Sequence, residues 1–287
     1  MIDLEKTVCE LLKRAETILP DDVLGVLEKA LEKEDNKLAR LQLETIIENA
    51  KKAREKSVPM CQDTGVPVFY VEYGLKSGIP LEKIVEGIKK GVKAATDEIP
   101  LRPNIVHPIT RENTGNNTGF GTPNINIEYS DNADYVDVTV LPKGAGSENM
   151  SALAMLKPAG GVEAVKEFVV GVVRDAGGKP CPPLIVGVGL GGTADYAVKL
   201  AKNALLRPIG SRNGDVDVAR LEGELLALVN ALGVGPMGLG GKTTALAVNA
   251  EFAGCHTASL PVAVNIQCWA ARVAAARIRN GKVEWLM

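Results

Sequence analysis

Apolar residues recur at helical spacing from the N-terminus to about residue 56, and the pattern then stops at Pro59. Leu4, Val8, Leu11, Ala15 and Ile18 share one face of a first helix. Pro20-Asp21-Asp22 opens a second that runs to about Glu34, and Leu38, Leu41, Leu43, Ile46 and Ile47 mark a third. Such spacing predicts amphipathic helices. Beyond Pro59 the period changes, and Val66 to Val71 reads as a strand rich in β-branched and aromatic residues. A chain that opens on helices and then alternates strands with helices is expected to be α+β (mixed α/β), with a mixed sheet that includes antiparallel strands and packed helices.

The remaining elements follow the same reasoning. Leu81 to Glu98 predicts a helix. Residues 101–123 carry no period, and a long irregular stretch in a compact domain is more often functional than idle. Asn124 to Tyr129 and Tyr135 to Leu141 alternate around Asp131-Asn132, which predicts an antiparallel hairpin. Helices are expected from about Met150 and from Gly161 to Ala176, a buried strand at Leu184 to Val188, and helices at 193–206 and 216–232. Ala245 to Glu251 and Ser259 to Ile266 read as strands, and Ala270 to Arg279 as either type. With no linker and no internal repeat, the expectation is one domain over 1–287, divisible into lobes 1–142 and 143–287.

Composition excludes several classes of function. A formal charge of −2 gives no bulk attraction to nucleic acid or to an anionic membrane. The low aromatic content argues against base-stacking surfaces. No apolar run of about 18 residues is present, so no membrane span is expected. The opening Met-Ile-Asp-Leu-Glu-Lys lacks the layout of a signal peptide. Five cysteines, an odd number, fit a reducing cytoplasm with free or metal-bound thiols.

Three of those cysteines stand in loops. Cys61 lies in Met-Cys-Gln-Asp-Thr-Gly, Cys181 in Lys-Pro-Cys-Pro-Pro and Cys268 in Asn-Ile-Gln-Cys-Trp. Three thiolates around an iron–sulfur cluster would leave one iron without a protein ligand, open to a substrate oxygen. Taken singly, Cys61 is balanced between a ligand and a polar-loop thiol, and Cys181 between a ligand and a tight turn stiffened by its prolines. Cys255 and Cys268 compete for the third place; Cys268, at the end of an apolar strand, is better placed. Cys9 sits among aliphatics and reads as core. No Cys-x-x-Cys or His-x-x-x-His spacing supports structural zinc.

His256, in a Gly-Cys-His-Thr turn, is either a general acid or a turn residue, and His107 reads as structural. Gly235 to Thr244 imitates a nucleotide-binding loop, but Pro236 stands where the first glycine belongs, and a helical pattern rather than a strand precedes it. Its Lys242, together with Lys143-Gly-Ala-Gly-Ser147 and Gly187 to Thr193, suggests anion-binding glycine loops for a small polycarboxylate.

In order along the chain, Cys61-Gln-Asp-Thr-Gly65, Leu101-Arg102, Asn113-Thr-Gly115, Lys143-Gly-Ala-Gly-Ser147, Cys181-Pro-Pro183, Gly191-Gly-Thr193, Gly240-Gly-Lys242 and His256 before Cys268 resemble the class I (iron–sulfur) fumarate hydratase and L-tartrate dehydratase family. The match is to its alpha subunit, equivalent to the N-terminal part of the single-chain enzymes, from about residue 35 onward. That resemblance implies a 4Fe–4S cluster on Cys61, Cys181 and Cys268 with one open iron. It implies substrate contacts from Gln62, Arg102 (with Arg111 as rival), Asn113, Thr114, Gly144 and Gly146. Asp63 and His256 would be the proton-handling residues. One departure is Cys255-His256-Thr257 where some relatives carry Arg-His-Gly.

The implied reaction is reversible hydration of fumarate to (S)-malate, with L-tartrate dehydration as the alternative. In the family the C–H base and further cationic ligands come from a C-terminal domain, and the chain ends soon after Cys268. A beta-subunit partner, in an α2β2 assembly, is therefore expected. A non-catalytic metal scaffold and a nucleotide-binding enzyme on Gly240-Gly-Lys242 are the competing readings.

Overall fold

The computed structural model describes residues 2–286, which fall into two compact units, each drawn from separate parts of the chain. One comprises Met1–Pro20, Asn49–Ala145 and Arg272–Met287; the other comprises Asp21–Glu48 and Gly146–Ala271.

The first unit is a five-stranded sheet with helices α1 (Leu4–Thr17) and α4 (Leu81–Glu98) packed on it. Asp3 caps α1 by accepting the Lys6 N–H. Gly87 and Gly91 let α4 press against α1, because a Cβ at either position would meet the side chain of Leu4 or Val8. The apolar faces of both helices close over Phe69, Val71, Val136, Val138 and Val140.

The strands are β1 (Val66–Gly74), β2 (Asn124–Ser130), β3 (Val136–Lys143), β8 (Ala274–Arg279) and β9 (Lys282–Trp285), in the order β2-β1-β3-β8-β9. The expected hairpin of 124–129 with 135–141 is therefore corrected. Both strands form, but β1 lies between them, parallel to β2 and antiparallel to β3. The physical reason is the five-residue connection 131–135, which is long enough to straddle a strand. Its Ala133 and Tyr135 carbonyls accept N–H groups from Lys76 and Gly74 at the end of β1. Only glycine fits at position 74, where a Cβ would strike those same two oxygens. Ala270 to Arg279, open between helix and strand in the sequence, supplies β8.

The second unit is a four-stranded sheet, β4 (Ala152–Leu156), β5 (Leu184–Gly191), β6 (Ala245–Ala253) and β7 (Leu260–Gln267), in the order β4-β7-β5-β6. Helices α6 (Gly161–Ala176) and α8 (Val216–Ala231) bury Val165, Val169, Leu221 and Leu225 against Val186, Val188, Val248 and Val264. Helix α7 (Ala194–Ala204) takes the other face through Ala197 and Ala201. Helix α2 (Asp21–Lys33) also belongs here, and α3 (Lys37–Lys56) crosses the division at residues 48–49. A four-residue turn of helix, α5 (Ala145–Glu148), crosses it as well.

Two expectations are corrected in this unit. The helix from about Met150 is strand β4, whose residues alternate in exposure at the sheet edge, so pairing with β7 overrides the helical preference of Ala, Leu and Met. Gly187 and Gly189 are not a ligand loop. They lie within β5 and face α7, where a Cβ would run into the Ala201 or Ala197 carbonyl oxygen.

Candidate active site

In the first unit the loop after α3 is gathered around Asp63. One carboxylate oxygen accepts the Gly65 N–H at 3.0 Å and lies 3.4 Å from the Asn104 side-chain amide; the other accepts the Ala145 N–H at 2.8 Å. This carboxylate thus ties the Cys61–Gly65 loop to the Gly144 turn. Gly144 is buried beneath it, and a Cβ there would stand 3.1 Å from Asp63 Oδ2. The Thr64 hydroxyl accepts the Arg102 N–H at 3.0 Å, and Asn104 donates to the Gly65 carbonyl at 3.0 Å. Asn117 then fixes the same stretch by accepting the Asn104 N–H at 2.7 Å and donating to the Arg102 carbonyl. The structure therefore brings Cys61, Gln62, Asp63, Arg102 and Gly144 onto adjoining segments, with the Gln62 and Arg102 side chains exposed.

Asn113 and Thr114 sit farther along the irregular stretch. They line a cleft of about 290 Å³ with Ile105, His107 and Phe120. The Asn113 side chain holds its own loop, donating to the Pro103 carbonyl and accepting the Gly115 N–H. His107 Nδ1 accepts the Ile109 and Thr110 N–H groups, in keeping with a structural role.

In the second unit Cys181 and Cys268 meet at one corner of the sheet. Pairing of Gln267 with Ile185 carries the end of β7 back to the start of β5, and the Trp269 N–H donates to the Cys181 carbonyl at 3.2 Å. Cys181 adopts φ +54°, a conformation a non-glycine residue rarely takes, between Pro180 and Pro182. Cys268 Sγ lies 3.7 Å from the Ala270 carbonyl oxygen. Gly146 approaches the Lys179 carbonyl, two residues before Cys181.

His256 is not brought to this corner. It stands in the exposed turn before β7, where Gly192 donates to the Gly254 carbonyl and His256 Nδ1 accepts the Ala258 N–H. Strand β7 spans eight residues between that turn and Cys268, so the two ends are separated by about 26 Å at the usual strand rise. Gly191-Gly-Thr193 lies at the His256 end too.

Lys242 is likewise engaged away from any ligand. Its ammonium contacts Asp35 at 2.6 Å, and its backbone N–H donates to Glu34 Oε2 at 2.7 Å. The glycine loop thus cradles an anion, but that anion is the chain's own buried Glu34.

Two residues of the first unit were not singled out from the sequence. Glu16 and Arg272, both buried, pair at 2.9 Å, and Arg272 also donates to the Asp63 backbone carbonyl at 2.6 Å. Burial pushes the Glu16 carboxyl up to about 7; Arg272 opposes that rise and the nearby Asp63 charge adds to it. The signal was present: Glu16 falls four residues after Leu12 on the apolar stripe of α1, and Arg272 interrupts an alanine-rich apolar run.

None of the five cysteines forms a disulfide. Cys9 is buried beside Glu98, and burial followed by that carboxylate pushes its thiol up to about 11, in keeping with a core residue. Among the described residues no three His, Cys, Asp or Glu side chains gather as they would around a single metal ion. Thiolates on a cluster each meet a different iron and stand farther apart than ligands of one ion. Cys61, Cys181 and Cys268 are each half-exposed, loop-borne thiols, the donor type that holds such a group, and Cys181 and Cys268 stand on hydrogen-bonded segments.

The described helices include none long and apolar enough to cross a membrane. A family model described as fumarate hydratase (Fumerase) matches residues 5–277. A Methanocaldococcus jannaschii chain, named provisionally as an L(+)-tartrate dehydratase subunit alpha, is 55% identical over 274 residues, which is 95% of this chain and 96% of that one. The L(+)-tartrate dehydratase subunit alpha of Escherichia coli strain UTI89 is 35% identical over 263 residues, covering 91% of this chain and 86% of its own length. Its counterpart in strain K12 is 36% identical over 257 residues, covering 89% and 84%. With a match of that extent through both units, the chain belongs to the fumarate hydratase family and is a hydro-lyase.

Proposed function

We propose that this chain is the alpha subunit of an iron–sulfur hydro-lyase acting on a small 2-hydroxy dicarboxylate, interconverting fumarate plus water with (S)-malate. Cys61, Cys181 and Cys268 are its proposed ligands for a 4Fe–4S cluster with one iron left open. The observation that carries this reading is the Cys181–Cys268 corner, where the Trp269 N–H bonded to the Cys181 carbonyl holds two loop thiols on neighbouring segments. Held by these three thiolates, the cluster would supply Lewis-acid chemistry toward a hydroxyl oxygen.

The chain's own residues bind and orient. Arg102 offers a forked cation for a carboxylate, and Gln62, Asn113 and Thr114 offer hydrogen bonds. Gly144 and Gly146 are the proposed backbone contacts to a substrate carboxylate. Asp63 fixes the Cys61 loop to the Gly144 turn and is the proposed proton carrier on the hydroxyl side. The base that removes the C–H proton, with further cations, is assigned to a beta subunit in an α2β2 assembly. His256, about 26 Å along its own sheet from Cys268, would serve a cysteine corner only as a residue of a second alpha chain. A cytoplasmic setting suits free thiols. L-tartrate is the second reading, favoured by the names of the relatives.

The test is anaerobic cluster rebuilding on the alpha chain, with and without its beta partner, assayed on malate, fumarate and both tartrates. Turnover is expected only from the pair. Full turnover by the alpha chain alone would refute the shared site. Activity that survives Cys181→Ser or Cys268→Ser with unchanged iron content would refute the ligand assignment.

A further inference from the structure

The Cys61–Asp63 loop is held at its flanks by the two residues of one buried ion pair, by Arg272 through its guanidinium and by Glu16 through its backbone carbonyl. Glu16, in the last turn of α1, and Arg272, two residues before β8, are each 1% exposed and lie 2.9 Å apart. On one flank of Cys61-Gln62, the Met60 N–H donates to the Glu16 backbone carbonyl at 3.0 Å. On the other, Arg272 Nη1 donates to the Asp63 carbonyl at 2.6 Å. The second guanidinium nitrogen borders the Gly144 turn, since a Cβ at Gly144 would lie 3.2 Å from Nη2. One planar fork therefore touches the helix end, the cysteine loop and the glycine turn together. A lysine ammonium on its flexible stem cannot reproduce that geometry. Burying such a pair costs the hydration of both ions, so shape-matched apolar residues would serve stability as well.

We propose that Glu16 and Arg272 are positioning residues of the site: the ion pair sets the Cys61–Asp63 loop in register with the Gly144 turn, and so fixes where the thiol and the carboxylate-binding backbone stand. The consequence for catalysis rests on the proposed function, whereas the loop geometry does not.

The cysteines provide the readout. In the iron-free full-length chain, iodoacetamide labelling resolved by mass spectrometry follows Cys61 in the loop, Cys255 as an exposed reference and Cys9 as a buried reporter of general opening. Arg272→Met is expected to raise the Cys61 rate about fivefold or more through local loosening, with Cys9 and Cys255 unchanged, and Arg272→Lys to restore it in part. Glu16→Gln keeps the side chain's shape and should give the same pattern, more weakly, even if Arg272→Met opens throughout.

In the reconstituted complex, Arg272→Met is expected to raise KM or lower kcat/KM by about tenfold to a hundredfold, with Arg272→Lys in between. A parallel rise at Cys9 and Cys61 in both variants, or no change at Cys61 in either, overturns the proposal. A wild-type complex without hydro-lyase activity would instead sink the functional reading and leave the labelling result standing.

Discussion

Cys9 faces Glu98 at 3.6 Å, and burial together with that carboxylate pushes its thiol from 9.0 up to about 11. Between those values the unfolded chain has given up a proton that the folded chain still holds. Stability contributed below pH 9 is therefore lost as pH rises toward about 11. Urea midpoints should fall across that window, and fall less steeply in Cys9→Ala; parallel slopes would contradict the assignment. Gly189 shows the same commitment in backbone form. Since a Cβ there collides with the Ala197 carbonyl oxygen, Gly189→Ala should cost about 3 kcal/mol in chemical denaturation, and a loss below about 0.5 kcal/mol would mean that α7 can shift freely. The core role of Cys9 was legible from its aliphatic neighbours. That of Gly189 was not, because the residues it faces come from an element that follows it in the chain.

At the scale of elements, the Gly235–Thr244 segment is instructive. Its glycines imitate a phosphate cradle, yet the Lys242 N–H donates to Glu34 and the Lys242 ammonium pairs with Asp35. Glu34 also accepts the Asp35 and Asn36 N–H groups as the chain passes from α2 to α3. Glu34→Ala should therefore destabilise the protein by about 1–3 kcal/mol, measured by urea unfolding, while ATP titrated calorimetrically into the wild type gives no heat of binding. A stable Glu34→Ala protein, or a measurable nucleotide affinity, would reverse this account. Helices α1 to α4 and α6 to α8 were readable because a stripe of apolar residues is a local property. Strand β4 was misread as helix because Ala-Leu-Ala-Met-Leu owes its conformation to pairing with β7, more than a hundred residues away.

Across the whole molecule, neither unit is a continuous run of sequence, so no single cut of the chain isolates one of them. The expected division into residues 1–142 and 143–287 leaves 21–48 and 272–287 joined to the other part's contacts. The placement of His256 belongs to this scale. If the residue works on a second alpha chain's corner, His256→Asn and Cys181→Ser chains, each inactive alone, should regain about a quarter of wild-type turnover overall when co-assembled in equal amounts with beta subunits, because about half of the pairs are mixed and each mixed pair keeps one intact site of two. No recovery on mixing would exclude work by His256 on a second chain's corner, and full activity of His256→Asn alone would remove it from the chemistry.

Sequence alone determined the mixed α+β class, the loop setting of Cys61, Cys181 and Cys268, and the ordered motifs that carry the family. These are properties of short windows, set by period, turn residues and residue type. Folding in three dimensions decided that β1 parts β2 from β3, that Lys242 spends its charge on Asp35, that His256 stands away from Cys268, and that Glu16 and Arg272 lie under the Asp63 loop. Those outcomes depend on which distant segments share a strand edge or exclude water from a charge, and the physical forces that choose between them act across space, so a short window shows at most that a residue is out of place and never what it meets.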